Sequence, residues 1–350
     1  MAAVGIIGGL ALVATACGEA PEDSEVQATD FKACMVTDVG GIEDASFNAS
    51  SWKGMNSAAE EEPGIEVSYK KSEKDTDYEP NMKNSVKDGC DLTIGVGGLM
   101  AEATAAVAED NPDKRFAIID AELDIDNVVS MEFNAAAPSF MAGYLAADMS
   151  KSGKVGTFGG ENIAPVMIFM DGFAKGVDYY NEKEDKDVEV LGWSGNPDSG
   201  AFTKDFQSTS KGTEQAKTLI SKGADILFPV AGQAGLGAPM ETAKEDDQYS
   251  IWVDIDGCES AEKYCDEFLT TSEKNIPAQV KKVILDAYAD GAKNGSSIGL
   301  LENDGVGLSG FHDDVPKDLR EDLKKIEQGL ISGEIPLESE FIPKAVDDAK

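Results

Sequence analysis

Short apolar runs alternate with helix-spaced apolar stripes through most of the chain. Phe31 to Val36 reads as a buried strand, and from about Asn48 a helix carries Trp52 and Met55 on one face. Ile65 to Tyr69 is a second strand, Tyr78 to Lys87 a helix, and Asp91 to Val96 a strand running into Gly97-Gly98. A helix from Met100 to Glu109, a strand from Arg115 to Ile119 closed by Asp120, and a strand from Val128 to Met131 complete this series. An alanine-rich helix, Ala135 to Ser150, separates it from a second one. There, strand Lys154 to Phe158 meets Gly159-Gly160, and helix Val166 to Tyr180 and strand Val188 to Leu191 follow. Helix Thr213 to Ser221, strand Ala224 to Val230, the glycine-rich loop Ala231 to Gly237, helix Ala238 to Lys244 and strand Ile251 to Asp254 end the series. Beyond it lie helix Pro277 to Asp290, short strands near Leu300 and Val306, and an amphipathic helix, Leu319 to Leu330.

Strands alternating with helices predict βαβ units and parallel sheets. Two such series in 350 residues predict an α/β chain of two doubly wound parallel-sheet lobes. A single core usually stops growing at roughly 250–300 residues. In doubly wound sheets ligands bind beyond the carboxyl ends of the strands. The loop after the first strand, Asp38 to Asn48, is therefore the first place to look for a site.

That loop offers a carboxylate (Asp38), an amide (Asn48) and a flat apolar ring (Phe47), which suit a ligand with hydrogen-bonding edges and a stackable face. Asn48 could equally cap the helix that follows. Asp120, Asp254 and Asp256 end strands or enter crossovers, and a carboxylate there can accept from two neighbouring hydroxyls. Gly97 and Gly232 lie in glycine-rich turns where backbone N–H groups can approach a ligand closely. Phosphate is disfavoured: the chain has no Gly-x-x-x-x-Gly-Lys-Ser/Thr run and no basic cluster.

The run Thr37-Asp38-Val39-Gly40-Gly41-Ile42-Glu43-Asp44-Ala45-Ser46-Phe47-Asn48 closely resembles the signature of the basic membrane protein family, the purine-nucleoside-receptor-type substrate-binding lipoproteins of ABC transporters. Ala117 to Asp120, Asn127 to Ser130, Gly143 to Ala147, Val230 to Gly235 and Leu269 to Ser272 follow in family-like order, so the resemblance spans roughly residues 31 to 310. It implies a type I periplasmic binding protein-like fold whose lobes are joined by a three-strand hinge. The crossings then fall near Asn134, Asp256 and Ser297, giving lobe one as 31–134 plus 257–297 and lobe two as 135–256 plus 298–350. It also implies a nucleoside ligand, foremost a purine, with Asp38 on the base, Phe47 stacked against it and Lys274 on the sugar. A second aromatic should close the other face of the base, with Phe173, Trp193 and Phe206 as candidates. The implied partners are that ligand and a membrane permease, with no cofactor. On the same fold the alternatives are a sugar or autoinducer as ligand, or sensing in place of transport.

The first residues fit export. Residues 2 to 16 are apolar or small and end at Cys17, too short for the ~20 residues of a membrane span but right for a signal peptide. The small-residue run before Cys17 resembles a lipobox, with Ala14 where leucine is usual. Residues 1–16 are thus expected to be a signal peptide, Cys17 the lipidation site, and 17–30 a tether holding the protein on the extracytoplasmic face of the cell membrane. Four further cysteines, Cys34, Cys90, Cys258 and Cys265, suit disulfides in that compartment and admit three connectivities. Cys258 and Cys265 flank a short acidic loop, and Cys34–Cys90 would tie neighbouring elements.

Composition removes other function classes. With 30 Lys and Arg against 66 Asp and Glu, the net charge is 30 − 66 = −36, which repels nucleic acid and anionic membrane faces. His312 is the only histidine, so a zinc site and a Ser-His-Asp set have little to draw on. Asp38 and Asp44, separated by glycines and apolar residues, do not resemble the aspartate run of a calcium-dependent nucleoside hydrolase. An acidic surface of this size also fits saline surroundings. Added salt should then raise the melting temperature, and a value unchanged from low to molar salt would contradict that adaptation.

Overall fold

The structure, a computed structural model, describes residues 31–291 and 293–348. The expected signal peptide, Cys17 and tether lie outside the described residues. The strands are β1 (Phe31–Thr37), β2 (Ile65–Lys70), β3 (Leu92–Val96), β4 (Arg115–Ile119), β5 (Val128–Phe133), β6 (Lys154–Gly159), β7 (Glu189–Leu191), β8 (Ile226–Val230), β9 (Tyr249–Asp254), β10 (Phe268–Lys274), β11 (Gly295–Gly299) and β12 (Val306–Leu308). They form two six-stranded sheets, ordered β11-β5-β4-β3-β1-β2 and β12-β10-β9-β8-β6-β7. All neighbours are parallel except β10 and β12. The two orders superpose term by term, so the lobes repeat one design. Central strands such as β3, β8 and most of β1 are buried from end to end, as strands covered by helices on both faces must be.

The strand Phe268–Lys274 corrects the expected lobe boundaries. It lies in the second sheet between β9 and β12, so the chain leaves lobe two after Lys274 and not near Asp256. Its sequence, Leu269-Thr270-Thr271-Ser272, looks polar, yet every one of these residues is buried. The hydroxyls are satisfied internally: Thr270 donates to the Ser309 carbonyl, Thr271 Oγ1 accepts from Gly257 N–H, and Ser272 pairs with Ser139. The strand expected near Leu300 is likewise Gly295–Gly299, which adds to β5 in the first sheet. The crossings therefore fall near Asn134, Asn275 and Leu300. Asn134 N–H donates to the Gly299 carbonyl and Asn275 N–H to the Gly305 carbonyl, which laces them together.

Two helices fix one wall of the space between the lobes. Ala136–Met149 is buried on all sides through Ala147, and Ala164–Glu184 packs against it. Contact is close enough that a Cβ on Gly143 would sit 2.0 Å from the Phe173 carbonyl oxygen, and one on Gly176 1.9 Å from that of Phe140. Lys317–Ser332 covers the same helix in lobe two, and beyond it Phe341 packs edge-on against Trp193. In lobe one, Ile276–Tyr288 packs on Phe47–Glu61.

Disulfides join Cys34 to Cys90 and Cys258 to Cys265. The first ties β1 to the turn entering β3; the second closes the excursion between β9 and β10. They span 56 and 7 residues respectively. The loop-entropy relation gives about 4 kcal/mol for the longer loop and about 2.5 kcal/mol for the shorter. Replacing Cys34 and Cys90 together by alanine should therefore lower the melting temperature more than replacing Cys258 and Cys265. In a Cys17→Ser chain, alkylation before reduction should leave the intact mass unchanged and afterwards add four groups; free thiols at the outset would refute the pairing.

Candidate functional site

The cleft between the lobes is built from strand ends, beginning with the loop after β1. Gly40 and Gly41 take φ values of +114° and +66°, which lets the chain reverse within a few residues. Asp44 then accepts from the backbone N–H groups of Ser46 (3.1 Å), Asn48 (2.8 Å) and Ala49 (3.0 Å). It thus satisfies the orphan donors at the start of Phe47–Glu61. Freed from capping, Asn48 donates its side-chain N–H to Asp38 Oδ1 (2.8 Å) and Asp44 Oδ2 (3.1 Å). Its own Oδ1 is buried without a partner. Asp38 and Asn48 therefore set a carboxyl and an amide side by side. Gly97, at φ +106°, makes room for them: a Cβ there would lie 2.9 Å from Asp38 Oδ2.

Asp38, Phe47, Asn48, Gly97, Asp120, Gly232, Asp254 and Lys274 all line one cavity between the lobes. Ile163, Pro165, Val166, Phe169 and Phe206 supply an apolar wall from lobe two. Asp120 and Asp254 follow or end equivalent strands, β4 and β9, and both adopt left-handed φ, +63° and +69°. Lys274, buried at the end of β10, reaches Asp120 Oδ2 at 2.6 Å across the lobe boundary and Asp254 Oδ1 at 3.9 Å. Its ammonium lies 4.7 Å from the Phe169 ring centroid and 5.6 Å from that of Phe47, within cation–π range.

The chain matches the family described as "ABC transporter substrate-binding protein PnrA-like" over residues 31–340. It belongs to that family. It is also similar to the "CD4+ T-cell-stimulating antigen" of Listeria monocytogenes, at 30% identity covering 91% of this chain and 92% of that one. The "ABC transporter nucleoside-binding protein BmpA" of Lactococcus lactis is 27% identical, covering 89% and 90%. Among solved structures, an ABC-transporter solute-binding protein of Aeropyrum pernix superposes with a TM-score of 0.78 at 24% identity, covering 91% and 95%. The fold is that of type I periplasmic binding proteins. PnrA-like proteins are extracytoplasmic binding components of ABC transporters and not enzymes, so a ligand and a permease are the partners of this chain. Among the described residues no helix is long and apolar enough to cross a membrane.

Within this PnrA-like cleft two expectations need correction. Asp256 lies outside the cavity: its Oδ1 accepts from Cys258 N–H at 2.9 Å and caps the short helix Gly257–Ser260. Of the three candidate aromatics, Phe206 lines the cavity, whereas Phe173 stacks on Phe228 in the core and Trp193 donates to Asp171. Phe169 and Gln233 line the cavity and escaped the sequence reading. The helix after β6 occupies in lobe two the place that the Phe47 helix has after β1, so the repeat itself pointed to Phe169.

Burial governs the acids of this PnrA-like site. It pushes the Asp38 carboxyl up to about 8, with Asp44 and Asp120 adding to the rise and the Asn48 donation opposing it. Asp254 is pushed up to about 6, again by burial, against the pull of Lys274. Asp120 is raised by burial and held down by Lys274. A carboxyl whose folded pKa exceeds its unfolded value contributes stability that is full below about 4 and lost as pH rises through the folded value. The Asp38 contribution should thus fall between pH 4 and 8 by about 1.4 kcal/mol per unit at most. Asp38→Asn should flatten that slope and raise the melting temperature at pH 8, measured without ligand; an unchanged slope would refute the assignment.

Proposed function

We propose that this cleft binds a nucleoside, foremost a purine, and that the protein delivers it to an ABC permease from the outer face of the cell membrane, held there through Cys17. One observation carries the reading: a single loop presents the Phe47 ring together with the Asp38 carboxyl and the Asn48 amide oxygen, and N–H donors arriving on a base edge would draw Asp38 into its ionised, accepting form. An aromatic ring stacks on any base, and adjacent acceptors take the N–H donors on a base edge. Asp120 and Asp254 suit the paired hydroxyls of a sugar, with Lys274 able to donate to its oxygens. Phe206 and Phe169 are the candidates to close the second face. With Asp120 and Asp254 already on the one ammonium and Asp38 in the same cavity, a phosphate is disfavoured and a neutral nucleoside is favoured over a nucleotide. The nucleoside-binding name of the Lactococcus lactis relative supports the same ligand class.

Titration calorimetry against purine and pyrimidine nucleosides, their monophosphates and simple sugars tests this. Purine nucleosides should bind and monophosphates should not; a sugar binding while every nucleoside is ignored would overturn it. Phe47→Ala should lose roughly 5- to 150-fold in affinity, the equivalent of ~1–3 kcal/mol of stacking, with a much smaller effect on melting temperature.

A further inference from the structure

Ser46 stands at the N-cap position of Phe47–Glu61, where serine ordinarily accepts a hydrogen bond from the first turn. Here it makes no capping bond, because Asp44 has taken those N–H groups. The Ser46 hydroxyl points the other way and donates to Asp254 Oδ2 at 2.9 Å, across the lobe boundary. Ser46 is fully buried yet does not line the cavity. The contact has a counterpart. Asp254 of lobe two is gripped by a lobe-one side chain, while Asp120 of lobe one is gripped by Lys274 of lobe two. The two aspartates occupy equivalent strand ends in the repeated sheets. Lys53–Glu259 is a third bridge between the lobes, but both partners are exposed and it contributes little.

We propose that Ser46 is a closing latch: its hydroxyl, bonded to Asp254, sets the balance between open and closed lobes without touching the ligand. Both partners belong to the chain itself, so the latch acts whatever the ligand is, and the proposal is independent of the nucleoside reading. Opening the cleft separates the two lobes and breaks this bond. A hydrogen bond to a charged acceptor is among the stronger kinds. Its loss should move the closed-to-open ratio by roughly tenfold or more. Because no capping bond is lost, the same substitution should leave helix stability alone.

The test is small-angle X-ray scattering on the full chain, stripped of bound ligand in denaturant and refolded with its disulfides intact. Ser46→Ala should increase the radius of gyration relative to the wild type, and Ser46→Thr, which keeps the hydroxyl, should restore it. The melting temperature of Ser46→Ala should fall by no more than the shift in the closed-to-open ratio accounts for, and that of Ser46→Thr should stay close to the wild type. An identical radius for the wild type and Ser46→Ala overturns the latch. So does a Ser46→Ala protein whose melting temperature drops as a lost N-cap would require, with the radius unchanged.

Discussion

Lys274 keeps its ammonium buried, and its nearest partner belongs to the other lobe. A buried charge is tolerated only when paired and further satisfied, so the position of Lys274 obliges Asp120 and Asp254 to converge on it. Removing either the ammonium or its partner would leave an uncompensated charge in a water-poor space. Much of the remaining cleft can be read as accommodation to that cluster. Aromatic faces approach the cation, Ser46 takes the far oxygen of Asp254, and Asp38 stands where burial favours its proton. The site therefore holds more carboxyl groups than its one ammonium can pair.

The repeat of the two sheets explains how such a cluster arises between lobes that share no strand. Equivalent strand ends face one another across the boundary, so the same left-handed aspartate appears twice, once on each side. The departures from symmetry are equally informative. β12 runs antiparallel to β10 where β11 runs parallel to β5, and Lys274 stands at the end of β10 where the β5 strand has Phe133 and Asn134. The single cation thus comes from an unequal position in an otherwise duplicated frame.

The sequence was legible where local chemistry and local structure agree. Strand, glycine break and helix were readable around Asp38 because the apolar run, Gly40-Gly41 and Trp52 with Met55 are all local signals. It was not legible at β10, because buried threonines and serine whose hydroxyls bond within the protein look like surface. From that one missed strand followed the misplaced crossing at Asp256. Phe169 was hidden for the opposite reason: within the apolar stretch from Val166 to Met170, nothing marks one ring as facing a cavity. Which strand joins which sheet is a long-range property that periodicity does not encode. The family resemblance implied the number of crossings but did not put the second one in place.

The seam between Ala136–Met149 and Ala164–Glu184 has a bearing on how such a receptor can diversify. Backbone lies on backbone there, at Gly143 and Gly176, with no side chain between to absorb a displacement. The apolar wall of the cleft therefore rests on an unyielding footing. New ligand preferences are accessible by exchanging the tips that protrude from it, such as Val166 or Phe169, while the footing stays as it is. A bulky residue at the seam would tilt the whole helix and recast several of those tips at once, so drift in recognition should proceed by single contacts and not by wholesale reshaping.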